Sequence, residues 1–130
     1  MNCGYNTHMT KIAIIEDDAQ IVQMYRMKFE SEGYDVVTAG NGRDGLVLIK
    51  ANNPDIVLLD LMMPEMRGDE MLIELRKQSW GKHLPVIILT NMGKSEAPKT
   101  ITENGVRKFI VKSDMTPKEV ADLVRVELKS

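Results

Sequence analysis

Short, nearly unbroken apolar runs alternate along this chain with longer stretches in which apolar residues recur every three or four positions. The runs are Lys11–Ile15 (KIAII), Tyr34–Ala39 (YDVVTA), Asp55–Leu59 (DIVLL), Leu84–Leu89 (LPVIIL) and Lys108–Val111 (KFIV). They have strand length, and continuous apolarity is what a strand covered on both faces requires. The stretches between them carry helical stripes. Ile21, Val22, Tyr25 and Phe29 lie in 18–32, Leu46 and Ile49 in a second helix, and Met71, Leu72 and Leu75 in 70–78. Val120, Leu123, Val124 and Leu128 form the last stripe.

Punctuation agrees with the periodicity. Asp18 suits an N-cap, Gly33 a helix C-terminus, Asn41–Gly42 a turn, and Asn52, Asn53 and Pro54 a second helix end. Thr116–Pro117 is a helix start with proline at the first helical position. Residues 91–104 should hold a fourth helix, but Gly93, Pro98 and Thr100–Thr102 are poor helix formers, so a late start near Pro98 or a mobile segment is expected. Strand–helix alternation repeated five times predicts an α/β fold: a doubly wound five-stranded parallel sheet, order 2-1-3-4-5, with helices on both faces.

Composition narrows the function classes. The 130 residues are 43% hydrophobic and 28% charged, with a net charge of −2, which fits a globular domain and supplies no global field for nucleic acid or an anionic membrane. Cys3 is the only cysteine, so no internal disulfide forms, as in a cytoplasmic protein. No apolar run approaches the roughly 20 residues of a membrane span. The opening MNCGYNTH lacks the basic and apolar regions of a signal peptide. Residues 1–10 are expected to be a leader, mobile or left by cloning, and 11–130 one domain.

Open α/β sheets bind ligands beyond the carboxyl ends of their strands. There the runs end in Glu16 and Asp17, in Asp60, in Thr90 and in Lys112. In the order 2-1-3-4-5 these strands are neighbours, so three carboxylates, a hydroxyl and an ammonium should share one site. Each alone would pass as a cap or a solvated turn. Together they need a cation, because two like charges about 4 Å apart repel by roughly 4 kcal/mol at an effective dielectric of 20. Few, hard oxygen ligands suit Mg²⁺, whereas zinc is disfavoured because His8, His83 and Cys3 lie off this face. Lys112 and Thr90 opposite such a metal would clamp an anion, most naturally phosphoryl, with the central Asp60 as nucleophile.

The motifs IIEDD (14–18), DIVLLDLMMPEMRG (55–68), VIILTN (86–91) and KFIVK (108–112) strongly resemble the receiver domain of two-component response regulators, over about residues 11–128. The resemblance implies that Asp60 is the phosphoacceptor, Asp17 the direct Mg²⁺ ligand and Glu16 its partner, often through water. It implies further that Met62 offers its backbone carbonyl to the metal and that Thr90 and Lys112 bind phosphoryl oxygens. Phe109 takes the place of the aromatic switch, which turns inward as Thr90 moves. Pro64 and Gly68 fit the loop that follows the phosphoacceptor. The implied partners are a sensor histidine kinase or phosphotransfer protein upstream and another protein downstream. The latter would be engaged through the fourth helix, fifth strand and last helix, with no direct contact to nucleic acid or membrane.

Three positions depart from the family pattern. Ser113 stands where proline usually follows the lysine, so a trans or differently shaped loop is expected. Asn91 replaces a small residue and narrows access to the phosphoryl group. Arg107–Lys108 replaces an acidic pair of the winged-helix DNA-binding relatives, which argues against their salt-bridged dimer. With the chain ending at Ser130, a stand-alone receiver is expected, and a receiver cut from a longer regulator is the alternative. An aspartyl phosphohydrolase would need Asp at the Glu16 position, and a flavin mononucleotide carrier would not place acids in its phosphate loop.

Overall fold

A computed structural model describes residues 9–129, in which strands and helices alternate. In chain order these are β1 (Lys11–Ile15), α1 (Ala19–Ser31), β2 (Asp35–Ala39), α2 (Gly42–Asn52), β3 (Ile56–Leu59) and α3 (Gly68–Arg76). There follow β4 (Val86–Thr90), α4 (Thr100–Glu103), β5 (Lys108–Val111) and α5 (Pro117–Leu128), with single 3₁₀ turns at Lys94–Glu96 and Lys112–Asp114. All strand pairs are parallel, in the order β2-β1-β3-β4-β5. Most of the expected leader, with Cys3 and His8, lies outside the described residues. The Thr10 carbonyl accepts the Asp35 N–H at 2.9 Å.

Successive side chains of a strand point to opposite faces, and here both faces are covered. Ile12, Ile14, Leu58, Ile87, Leu89 and Ile110 pack with Tyr25 and Phe29 of α1 and Val120 and Val124 of α5. Ala13, Ile15, Val57, Leu59, Val86 and Ile88 pack with Ile49 of α2, Met71, Leu72 and Leu75 of α3 and Ile101 of α4. That double burial is the physical reason the strands read as apolar runs. Among the described residues no helix is long and apolar enough to cross a membrane.

The ends of the elements follow local chemistry. The Asp18 carboxylate caps α1, accepting from the N–H groups of Gln20 and Ile21 at 2.9 and 3.2 Å. Gly33, just past α1, has φ +91°, a left-handed conformation that glycine adopts without a Cβ penalty. Thr116 and Glu119 cap α5 reciprocally, with Pro117 at its start. The strand expected from Leu84 begins only at Val86 and runs through Thr90; Pro85 between them has no N–H to give a ladder. The largest change is α4, which holds four residues, starting at Thr100. The segment before it makes one 3₁₀ turn and is extended at Ala97, as Gly93 and Pro98 foreshadow. No cis peptide bond occurs among the described residues, the Lys112–Ser113 bond included.

Candidate functional site

Parallel pairing puts the carboxyl ends of β1, β3, β4 and β5 side by side, and the residues there converge. The Lys112 ammonium bonds the Glu16 carboxylate, 96 residues away in the chain, and Asp60 Oδ2 at 3.3 Å. One carboxylate oxygen from each of Glu16, Asp17 and Asp60 lies within 4.8 Å of the others. Glu16, Asp60 and Thr90 are buried and Asp17 is exposed. These residues line a cavity of about 320 Å³, together with Met62 and Asn91. All five strand-end positions named by the sequence are thus brought together, and the exposed Asn91 lines the same cavity.

Backbone donors hold the buried oxygens. The Asp18 N–H donates to Glu16 Oε2 at 3.0 Å, the Met62 N–H to Asp60 Oδ1 at 3.3 Å and the Met92 N–H to Thr90 Oγ1 at 3.4 Å. Burial raises the Glu16 carboxyl above its ordinary value, against the hydrogen bond from Lys112, and the charge of Asp60 adds to the rise. For Lys112, burial alone would favour the neutral amine. Its hydrogen bond to Glu16 and the charges of Asp60 and Glu16 outweigh that and hold the ammonium above its usual range. Among the described residues three carboxylates thus converge beside one ammonium, which bonds two of them, so negative charge is in excess. Hard oxygens in a partly open cleft fit a small divalent cation.

The loop after β3 is set by a close approach. A Cβ on Gly68 would stand 2.1 Å from the Asp60 carbonyl oxygen and 2.8 Å from the Leu61 Cα. Only glycine lets α3 begin against the backbone of Asp60, where the Gly68 N–H donates to the Leu61 carbonyl at 3.1 Å. In the sequence Gly68 stood out only as a loop residue. Arg76 gave no signal at all, since an arginine in the last turn of a helix is ordinary. Its guanidinium donates to the carbonyls of Gly81, Leu84 and Asn104 at 2.8 Å each and of Gly105 at 3.1 Å. It ties the end of α3 to the turn before β4 and to the far end of α4. Phe109 lies apart from the cluster, half-buried in the floor of a groove between the α4 segment and β5. Met62, Met63 and Met92 line a separate apolar recess beside Asp17.

Comparison with known proteins places this geometry in a family. Residues 12–125 match the response regulator receiver domain. A probable transcriptional regulator ycf27 from Porphyridium aerugineum is 36% identical over 119 residues, covering 92% of this chain and 48% of that protein. The chain therefore spans about half the length of the ycf27 relatives it matches. The chemotaxis protein CheY4 of Vibrio cholerae superposes with a TM-score of 0.83 at 28% identity, over 91% of this chain and 98% of that one. The receiver domain of the Francisella response regulator 1452 gives 0.81 at 32% identity, over 92% and 97%. With a fold and a family match that agree over nearly its whole length, the chain belongs to the receiver domains of two-component response regulators.

Proposed function

We propose that Asp60 accepts a phosphoryl group from a sensor histidine kinase or a phosphotransfer protein, as a reversible signal. The observation that carries this reading is the convergence of Lys112, Glu16 and Asp17 on one buried aspartate. A carboxylate oxygen of Asp60 forms the new bond to phosphorus as the donor's bond to phosphorus breaks. Glu16, Asp17, Asp60 and the backbone carbonyl of Met62 would hold Mg²⁺. When bound, the ion supplies positive charge for the phosphoryl oxygens. Lys112 leaves its carboxylate partners to bind one phosphoryl oxygen, and the Thr90 hydroxyl binds another. The movement of Thr90 lets Phe109 turn inward and changes the α4-β5-α5 face, through which a downstream protein reads the state. The family is regulatory, and in this reading the chain promotes only its own phosphorylation and dephosphorylation.

Intact mass after incubation with acetyl phosphate and Mg²⁺ tests the assignment. The parent should gain one phosphoryl group, Asp60→Ala none, and Asp17→Ala none under Mg²⁺ alone. Normal phosphorylation of either variant would overturn the corresponding role. The half-length match to the ycf27 relatives favours a second reading, in which this segment works inside a longer regulator. The length of the full open reading frame distinguishes the two.

A further inference from the structure

The loops that precede β4 and β5 lie at the amino ends of those strands, on the edge of the sheet opposite Asp60. A cleft of about 390 Å³ opens there, within the size range of small-molecule sites. It is lined by Arg76 at the end of α3, Lys82 and His83 from the loop before β4, and Arg107 from the loop before β5. Glu103, exposed at the end of α4, is the one carboxylate that lines it. Arg76 is the unusual member. Its guanidinium is half-buried and donates to four carbonyls, yet among the described residues it makes no ion pair. Carbonyl oxygens satisfy its N–H groups but bring no full negative charge. Burial accordingly pulls the guanidinium below its ordinary value, with no carboxylate to oppose the shift. Four of its five N–H donors are engaged, which leaves one on Nη2. Lys82 and His83 are exposed and also make no ion pair among the described residues. Arg107 meets Glu127 through Nη1 at 3.4 Å, and Glu127 does not line the cleft.

We propose that this cleft binds a small phosphate-class anion of two or more charges, the free diphosphate or the diphosphate of a nucleotide. Cations from three separate segments are satisfied together only by a ligand with several acceptor oxygens and more than one charge. A single carboxylate would meet one of them. Guanidinium groups match phosphate oxygens in geometry as well as in charge, and two of the cations here are arginines. Concavity selects against a macromolecular surface: a duplex or a bilayer would reach the exposed Lys82, His83 and Arg107 but leave the half-buried Arg76 without an anion. The chain's net charge of −2 makes the cation cluster a local feature and not a reflection of composition. None of these residues belongs to the cluster around Asp60, so the cleft is independent of the phosphoacceptor reading.

Titration of pyrophosphate into the ¹⁵N-labelled chain tests this, in metal-free buffer at constant ionic strength so that Mg²⁺ draws no phosphate to Asp60. Amide shifts should saturate and should fall within 76–84 and 103–107. The Lys82→Gln, Arg107→Gln double variant should bind about tenfold more weakly, the combined scale of two exposed charge pairs. Glu103→Gln should bind about twofold more tightly, because a repelling carboxylate is gone. Arg76 is left in place, since it holds four carbonyls. The variants' amide spectra beyond these loops show that they are folded. ADP run in parallel separates the two sources: tighter binding than pyrophosphate assigns the cleft to a nucleotide, and binding no tighter assigns it to the phosphates alone. No saturable shift, shifts around the carboxyl ends of the strands, equal binding to the double variant, weaker binding to Glu103→Gln, or the same shifts from acetate would overturn the proposal. So would a glutamate-rich peptide or a DNA duplex that binds the cleft more tightly than pyrophosphate.

Discussion

Removing the Lys112 ammonium should expose how much negative charge the site contains. In Lys112→Met the apolar stem is kept and the cation is lost, leaving the Glu16 and Asp60 side chains, 5% and 7% exposed, facing each other. Their nearest oxygens are at most 4.8 Å apart. At that separation and an effective dielectric near 20, two full charges repel by about 3.5 kcal/mol. Burial leaves little solvent to screen them. One carboxyl can take a proton instead, and burial already shifts Glu16 in that direction. That limits the loss at pH 7 to about 3 kcal/mol, within the range for breaking one side of a buried ion pair. Urea denaturation in EDTA should therefore show Lys112→Met roughly 3 kcal/mol less stable than the parent. The same loss in an Asp60→Asn background should be much smaller, since one of the two repelling charges is gone. Added Mg²⁺ should stabilise Lys112→Met more than it stabilises the parent. Equal stabilities in EDTA, or an unchanged loss in the Asp60→Asn background, would refute the view that Lys112 neutralises this pair.

Gly68→Ala should cost roughly 2–3 kcal/mol by urea denaturation and slow phosphorylation by acetyl phosphate, because its Cβ meets the backbone of Asp60 and Leu61 instead of a flexible side chain; parent-like behaviour in both assays would mean the loop shifts freely. Thr100→Val should gain about 1 kcal/mol in the same denaturation assay, since Thr100 Oγ1 is buried without a hydrogen-bond partner among the described residues and valine has the same shape. Residues 92–104 of the unphosphorylated chain should exchange amide hydrogens quickly, given a four-residue α4 behind a single 3₁₀ turn; protection there equal to that of β1 and β3 would contradict this. Phospho-Asp60 should decay about tenfold faster in Met62→Asn, Met92→Glu than in the parent, a barrier difference of about 1.4 kcal/mol. The two thioethers flank an apolar recess beside the site and cannot orient water as the polar replacements can; a parent that decays as fast as the variant would end the shielding argument.

Much of the fold was legible in the sequence because burial on both faces of a parallel sheet writes itself as apolar runs, and helices over that sheet write themselves as a stripe of period 3.6. Asp18 and Thr116–Pro117 marked helix starts because unsatisfied N–H groups demand such residues locally. The five site positions were legible for a related reason: right-handed crossovers put the carboxyl ends of parallel strands on one edge, so polar residues ending apolar runs must meet. Beyond that, contacts between distant residues decided the outcome. Lys112 reaches Glu16 and Asp60 across 96 and 52 residues, and which oxygens it bonds depends on the packed arrangement alone. Gly93 and Pro98 signalled a weak fourth helix, but its contraction to Thr100–Glu103 comes with Ile101 buried in the core and Arg76 holding the Asn104 carbonyl. Gly68 was legible only as a loop residue and Arg76 not at all, since a close backbone approach and a guanidinium shared by four carbonyls are properties of three-dimensional proximity, which no local spacing encodes.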